Sequence, residues 1–343
     1  MRGTASPHTP GIHVAMFPMS LTGIGWTPTS RVDSPVEKVR RSPMAGYRSR
    51  NKRRFKIRLF AGLAAVGLSG VTVFMANAAD STIDGTLDYI ALGDSYSSGH
   101  GASSTYNGAV NTTCKRNDLA YPNQFFAKYA AALQPSKSSS MFNRACTGSK
   151  IQDVIDDQLG SVTGSVEMVT ITIGGNDVNF AAAGTTCVLS SSPACTAALN
   201  NLAPKISPLR QPLTDLLAQI RERAPIANIV ISGYPKIFDT GDCGILSISE
   251  DNRDRMRGLQ DSMNDLIREV AGASERVQYA DPDGLFEGHR VCDSGDRWIN
   301  QVSDGVAQLD TGAAYHPNAN GHAAMADAVF DAAMGSTTGP NSN

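Results

Sequence analysis

From residue 87 onward the spacing of apolar positions alternates between two regimes. Leu87–Leu92, Met141–Ala145, Val166–Ile173, Asn228–Ser232 and Arg276–Ala280 are short, nearly continuous apolar runs rich in β-branched residues, and they read as strands. Between them, Tyr121–Leu133, Ile151–Leu159, Pro204–Arg223 and Glu250–Ala271 follow a helical pattern, and Asn318–Met334 closes the series. Such alternation predicts a three-layer α/β/α sandwich, in which a five-stranded parallel sheet lies between two layers of helices. The runs Val169-Thr170-Ile171-Thr172-Ile173 and Ile229-Val230-Ile231 suit strands buried on both faces. Cys187 and Cys195 bracket a Ser/Pro-containing stretch that reads as a compact loop. Ligands of parallel sheets bind beyond the carboxyl ends of the strands, so the segments after each run are where chemistry is expected.

The first quarter of the chain has a different pattern. Residues 1–43 are Pro-rich with no apolar period and read as a disordered leader or an over-extended start. Residues 44–79 read as a signal peptide. Its basic part ends in Lys52-Arg53-Arg54-Phe55-Lys56-Ile57-Arg58, an apolar stretch runs from Leu59 to Met75, and Ala76-Asn77-Ala78-Ala79 supplies small residues for cleavage. Glycines at 62, 67 and 70 and the A-x-A ending favour cleavage over a retained anchor. The folded domain is then expected to span 80–343, to be exported without a permanent membrane anchor, and to be a monomer.

Removing residues 1–79 changes the charge balance. What is left holds 18 basic and 30 acidic residues, a net charge of −12. Such a surface repels phosphate backbones, so nucleic acid is excluded as a partner. All six cysteines, Cys114, Cys146, Cys187, Cys195, Cys243 and Cys292, lie in the exported part. An even number there reads as three disulfides, and no zinc-like spacing competes, although spacing alone leaves fifteen pairings open.

Four segments carry chemistry. Gly93-Asp94-Ser95-Tyr96-Ser97 places a serine on a tight turn after the first strand, and Tyr315-His316-Pro317-Asn318 supplies a histidine before the last helix. A serine needs such a base to become a nucleophile near neutral pH. Ser97 stands where a Gly-x-Ser-x-Gly elbow has its second glycine, so the α/β-hydrolase pattern does not apply. Asn143-Arg144-Ala145-Cys146-Thr147-Gly148 ends the second strand, and Ile173-Gly174-Gly175-Asn176-Asp177 the third. Of the other histidines, His100 and His289 read as rim or solvent residues, and His322 as a packing or capping residue.

In this order and strand context, the four segments resemble the blocks of the GDSL, or SGNH, hydrolases, particularly disulfide-bearing secreted lipases and esterases of actinobacteria. The resemblance implies a flavodoxin-like fold and a serine ester hydrolase without metal or organic cofactor. Ser95 would be the nucleophile and His316 the base, with Ser95, Gly148 and Asn176 forming the oxyanion hole. It also implies sequential disulfides, Cys114–Cys146, Cys187–Cys195 and Cys243–Cys292. The family usually carries aspartate three residues before the histidine, where this chain has Ala313. Asp310 is too far displaced to take that place by motif. A main-chain carbonyl of Ala313 or Ala314 is expected to orient His316 instead, and catalysis to survive loss of Asp310.

The substrate is read less sharply. Phe180, Ile237, Phe238 and Leu246 are candidates for an acyl pocket or equally for core, and they favour lipid or fatty-acyl esters over acetylated carbohydrate. Phospholipase A and carbohydrate esterase are the alternatives within the chemistry. A binding module on a hydrolase scaffold is the alternative outside it, and the joint presence of Ser95, Gly148, Asn176 and His316 argues against that.

Overall fold

A computed structural model describes residues 87–106, 113–133, 139–240, 248–293 and 295–335. The leader and the signal segment lie outside the described residues. Five strands, β1 (Asp88–Gly93), β2 (Ser140–Asn143), β3 (Met168–Thr172), β4 (Asn228–Ser232) and β5 (Val277–Ala280), form one sheet in the order β2-β1-β3-β4-β5. All its pairings are parallel. Every residue of β3 is buried, as are four of the five in β4, whereas the edge strands β2 and β5 are half-buried. This difference is why the central runs read as continuously apolar. Thr170 and Thr172 are tolerated inside β3 because tyrosine hydroxyls meet them, Tyr89 at 2.6 Å and Tyr121 at 3.0 Å.

The main helices are α1 (Ser95–Ser98), α2 (Tyr121–Leu133), α3 (Ile151–Asp153), α4 (Phe180–Leu189), α5 (Ser192–Asn200), α6 (Arg210–Arg223), α7 (Glu250–Gly272), α8 (Val302–Ala307) and α9 (Ala319–Ala333). The strand order reverses at β1. Right-handed crossovers therefore place α2 on one face and α6 and α7 on the other. The last helix, α9, packs on α2 and completes the first layer. Since β1 and β3 diverge in their connections, the crevice between their carboxyl ends lies at the topological switch point.

Three readings are corrected. Ile151–Leu159 is not one helix: after α3 the chain makes a π turn at Val154–Gln158 and a 3-10 turn at Leu159–Ser161. The distortion carries Gln158 inward, where its amide takes both backbone groups of Gly93, donating at 2.9 Å and accepting at 2.8 Å. Pro204–Arg223 is divided, with short turns at Ala203–Ile206 and Ser207–Leu209 before α6, and Pro208 sits at the break. The stretch from Cys187 to Cys195 is a helical hairpin rather than a loop. The end of α4 and the start of α5 form it, with Pro193 in the first turn of α5, where a missing N–H costs nothing.

Two of the expected disulfides are present, Cys114–Cys146 and Cys187–Cys195. Cys292 is also disulfide-bonded. Cys243, its expected partner, lies outside the described residues, as does Leu246.

Candidate active site

The end of β1 fixes the serine. Gly93 has φ +118°, and a Cβ there would stand 2.2 Å from the Thr172 carbonyl oxygen, so only glycine lets β1 turn so close to β3. Asp94 caps α1, accepting from Tyr96 N–H at 2.9 Å, and its other oxygen accepts from the Tyr234 hydroxyl at 2.5 Å. Burial raises the Asp94 carboxyl to about 7, against the opposing pull of those donors. Ser97 faces inward, accepting from Thr172 N–H and meeting the Tyr121 hydroxyl, both at 3.0 Å. It therefore does structural work where an elbow would have glycine.

Ser95 Oγ lies 2.8 Å from His316 Nε2, although the two residues are 221 positions apart. His316 Nδ1 lies 3.2 Å from the Ala314 carbonyl oxygen. A carbonyl only accepts, so in the neutral ring the hydrogen sits on Nδ1 and Nε2 is left to accept from the serine. The group that orients the His316 ring is thus main chain, as Ala313 in place of aspartate led us to expect. Burial, and next the neighbouring His100, push the His316 pKa down to about 3, so the imidazole is neutral across the physiological range.

The loop delivering His316 is held in an uncommon conformation. Tyr315 has φ +62°, and two backbone bonds to Asn300 clamp it, from Tyr315 N–H at 2.8 Å and to His316 C=O at 2.9 Å. Asn300 in turn donates to the Gly101 carbonyl at 2.9 Å. A Cβ on Gly101 would lie 2.8 Å from that of His316, so this glycine admits the histidine loop.

Gly148 also has positive φ, +83°, in the loop that Cys146 N–H ties to the Gly93 carbonyl at 3.0 Å. Asn176 donates one amide hydrogen to Ser149 O at 3.0 Å, and a second hydrogen remains on that nitrogen. Tyr234 links this loop to the nucleophile turn, because its hydroxyl accepts from Gly175 N–H at 3.1 Å while donating to Asp94. Asp177 points away from the serine and accepts from Ile151 N–H at 3.2 Å.

Ser95, Asn176 and His316 line one end of a cavity of about 510 Å³, and Gly148 stands outside its lining. Most of the remaining lining is apolar, including Phe180 and Val188 from α4, Leu202, Ile206, and Met256 and Met263 from α7, with Thr185, Tyr234 and Gln260 among its polar members. Of the expected pocket residues, Phe180 and Ile237 line this cavity, whereas Phe238 is core, packed on Tyr315 with ring centroids 5.5 Å apart. Among the described residues, no cluster of three or more His, Cys, Asp or Glu is gathered to hold a metal.

Comparison with known proteins gives this geometry its context. Residues 91–324 match the GDSL-like lipase/acylhydrolase family. The chain is 34% identical over 264 residues to Lipase 1 of Streptomyces coelicolor, covering 77% of this chain and 90% of that protein. It is 37% identical over 239 residues to a lipase of Streptomyces rimosus, with 68% and 82% covered. The chain belongs to the GDSL-like lipase/acylhydrolase family.

This family member has the fold of a solved extracellular lipase from Streptomyces rimosus, at TM-score 0.64 and 34% identity, over 72% of this chain and 99% of that one. A phospholipase A1 from Streptomyces albidoflavus NA297 is nearly as similar, at TM-score 0.62 and 34% identity, over 71% and 98%. The protein is thus a carboxylic ester hydrolase.

Sequence reasoning missed several residues of the GDSL site. Tyr234 and Gln158 are ordinary core and helix residues by pattern, and only the fold brings them to the Gly93–Asp94 turn. His322 is fully buried, as its packing role requires, and its Nδ1 accepts from Tyr121 N–H at 3.3 Å. His289 is half-buried and stacks on Trp298 at 3.7 Å. His100 is not a rim residue. It is only 6% exposed, because the turn after Ser95 folds back beneath the histidine loop.

Proposed function

We propose that the protein is a secreted, monomeric serine esterase of lipase type, cleaving fatty-acyl esters through an acyl-enzyme on Ser95. His316 Nε2 takes the Ser95 proton as Oγ attacks the ester carbonyl. The N–H groups of Ser95 and Gly148, with the second amide hydrogen of Asn176, receive the oxyanion. His316 then protonates the leaving alcohol, and water, activated by the same imidazole, releases the acid. The observation that carries this reading is the fixed tautomer. With Nδ1 committed to Ala314, the 2.8 Å contact to Ser95 can only be a serine hydroxyl donating to Nε2.

The largely apolar cavity beside the serine supports an acyl chain as the group that is bound, since its volume falls in the range of small-molecule sites and apolar side chains make up most of its lining. Export is supported by the disulfides and by similarity to a lipase described as extracellular. No helix among the described residues is long and apolar enough to cross a membrane.

The test is serine-directed fluorophosphonate labelling of wild type and Ser95→Ala, with a chain-length series of p-nitrophenyl esters beside a phosphatidylcholine and acetylated xylan. Labelling lost with Ser95, and rates rising with acyl length, are the expected results. More than a few percent of wild-type turnover in Ser95→Ala refutes the nucleophile, and a preference for acetylated xylan refutes the substrate class. N-terminal sequencing of exported protein should begin at Asp80, and sedimentation should give a single-chain mass.

A further inference from the structure

Behind the proposed dyad stands a second histidine–aspartate pair. His100 N–H donates to the Ser95 carbonyl at 3.1 Å, closing the turn that carries the serine. Its side chain runs the other way. Nδ1 lies 3.0 Å from Thr147 Oγ1, and Nε2 lies 3.2 Å from Asp310 Oδ2. The ring faces that of His316, with centroids 4.6 Å apart and planes inclined by 30°. Thr147 directly precedes Gly148, and Asp310 opens the turn that leads into His316. One buried residue therefore ties together the nucleophile turn, through its backbone, and the oxyanion and base loops, through its side chain.

We propose that His100 is a positioning residue for ester hydrolysis, a neutral brace that holds the His316 ring and the Thr147–Gly148 loop in register. The inference rests on the reading of Ser95 and His316 given above.

Several observations support the brace. Ala314 meets Nδ1 of His316 at 3.2 Å and Ser95 meets Nε2 at 2.8 Å, and two hydrogen bonds in the plane of the ring leave its tilt about the line joining them free. A stacked ring on its face removes that freedom without contributing charge. A neutral His100 can satisfy both of its partners. An ionised Asp310 accepts from Nε2–H, and Nδ1 then accepts from the Thr147 hydroxyl, so both nitrogens are satisfied with one ring proton.

Asp310 is kept ionised by its own surroundings. Lys115 Nζ and the Tyr106 hydroxyl both reach Oδ2 at 2.9 Å. Burial would raise its carboxyl, yet Lys115, Tyr106 and His100 together bring it down to about 2. Burial lowers the His100 pKa, with Asp310 opposing and Lys115 assisting. A neutral His100 matters, because a cation stacked on His316 would oppose the imidazolium that forms during catalysis. The packing is close: a Cβ on Gly312 would stand 3.0 Å from His100 Cε1, so glycine brings the Asp310 turn against the ring.

The test compares His100→Ala, His100→Gln, Thr147→Val and Asp310→Asn with wild type, each rate expressed per fluorophosphonate-titrated site so that misfolded protein is not counted. For His100→Ala we expect kcat to fall by about 10- to 100-fold, the cost of misplacing reacting groups by a fraction of an ångström to an ångström. KM should stay within about two-fold, since the acyl cavity is untouched. His100→Gln, which keeps a donor and an acceptor, should recover part of the rate. Thr147→Val and Asp310→Asn should each cost about ten-fold or less. Combined with His100→Ala they should add nothing, because they act through the same ring.

The pH profile provides a further readout. The groups facing His100 are Asp310, Lys115, Tyr106, His316 and His322. In Asp310→Asn the acid limb of kcat/KM should move, since the charge beside both rings is lost. Wild-type kcat in His100→Ala, or losses that add fully in the double variants, overturns the brace. If His100→Ala does not fold, His100→Gln takes its place, alone and in the double variants with Thr147→Val and Asp310→Asn, and wild-type kcat or full additivity there overturns the brace. Failure of the underlying reading looks different, since Ser95→Ala would then remain active.

Discussion

The two walls of the cleft are built on different principles. The wall carrying Ser95, Gly148 and Asn176 comes from the ends of β1, β2 and β3, and its groups are held by directional hydrogen bonds. Gly93 is held by Gln158, Asp94 by Tyr96 and Tyr234, and Gly175 by Tyr234. The opposite wall comes from the α4–α5 hairpin and α7, and it meets the cavity with Phe180, Val188, Met256 and Met263. Its outermost residue, Leu189, is 78% exposed. Directional bonds leave the first wall few tolerated substitutions, because a missing partner leaves a buried polar group unpaired. Apolar contact is non-directional, so the second wall can change shape at modest cost. If the site works as proposed, chemistry and substrate choice are therefore separable in this molecule.

The comparison can be broken most strongly at Asn176. Asn176→Ala should lower kcat about 10²–10³-fold with KM nearly unchanged, the usual loss for one oxyanion donor. An effect on KM alone would move Asn176 to the binding wall. Next in size is Gly184→Phe in α4. An added Cβ at Gly184 meets nothing within 4 Å, and the residue lines the cavity, so a phenyl group would occupy acyl space. The ratio of kcat/KM for long over short p-nitrophenyl esters should fall about ten-fold or more, the scale of losing one to a few methylene contacts. Unchanged selectivity would mean that the acyl chain lies elsewhere.

A smaller effect is expected from replacing Cys187 and Cys195 together with serine. The bridge closes a span of eight residues, for which chain entropy gives about 2–3 kcal/mol of stability. Urea unfolding should show that loss while short-ester kcat stays near wild type. The smallest effect concerns pH. Since the His316 pKa is lowered, its free base persists as pH falls below the ordinary histidine value, and kcat/KM should hold its neutral-pH level to well under pH 6.5. A limb centred near 6.5 that survives Asp94→Asn would contradict the enclosure of His316. One near 7 that vanishes in Asp94→Asn belongs to Asp94.

How much of this was legible in the chain follows the same division. The strands could be read because their apolar runs are local. Ser95 and His316 stood out because each sits at a strand or helix boundary beside glycine or proline. The Ala314 carbonyl could be anticipated because Ala313 left no acid in place. His100 was misread because its meaning depends on Thr147 and Asp310, 47 and 210 residues away, and nothing local marks a histidine that three loops enclose. The α4–α5 hairpin was misread because Ser190, Ser191 and Pro193 look like loop punctuation, whereas here they end one helix and start another. Tyr234 and Gln158 carried no signal, since their partners are the backbone of Gly175 and Gly93 and the buried carboxylate of Asp94.

The distance in sequence between Ser95 and His316 also has a meaning in time. The serine opens the short helix that follows the first strand of the sheet, and His316 arrives just before the final helix. If Ser95 and His316 act as proposed, a chain synthesised only as far as α8 has a nucleophile without its proton acceptor. Every partial product is then expected to be inert, with hydrolysis switching on only when the end of the domain has docked beside its beginning.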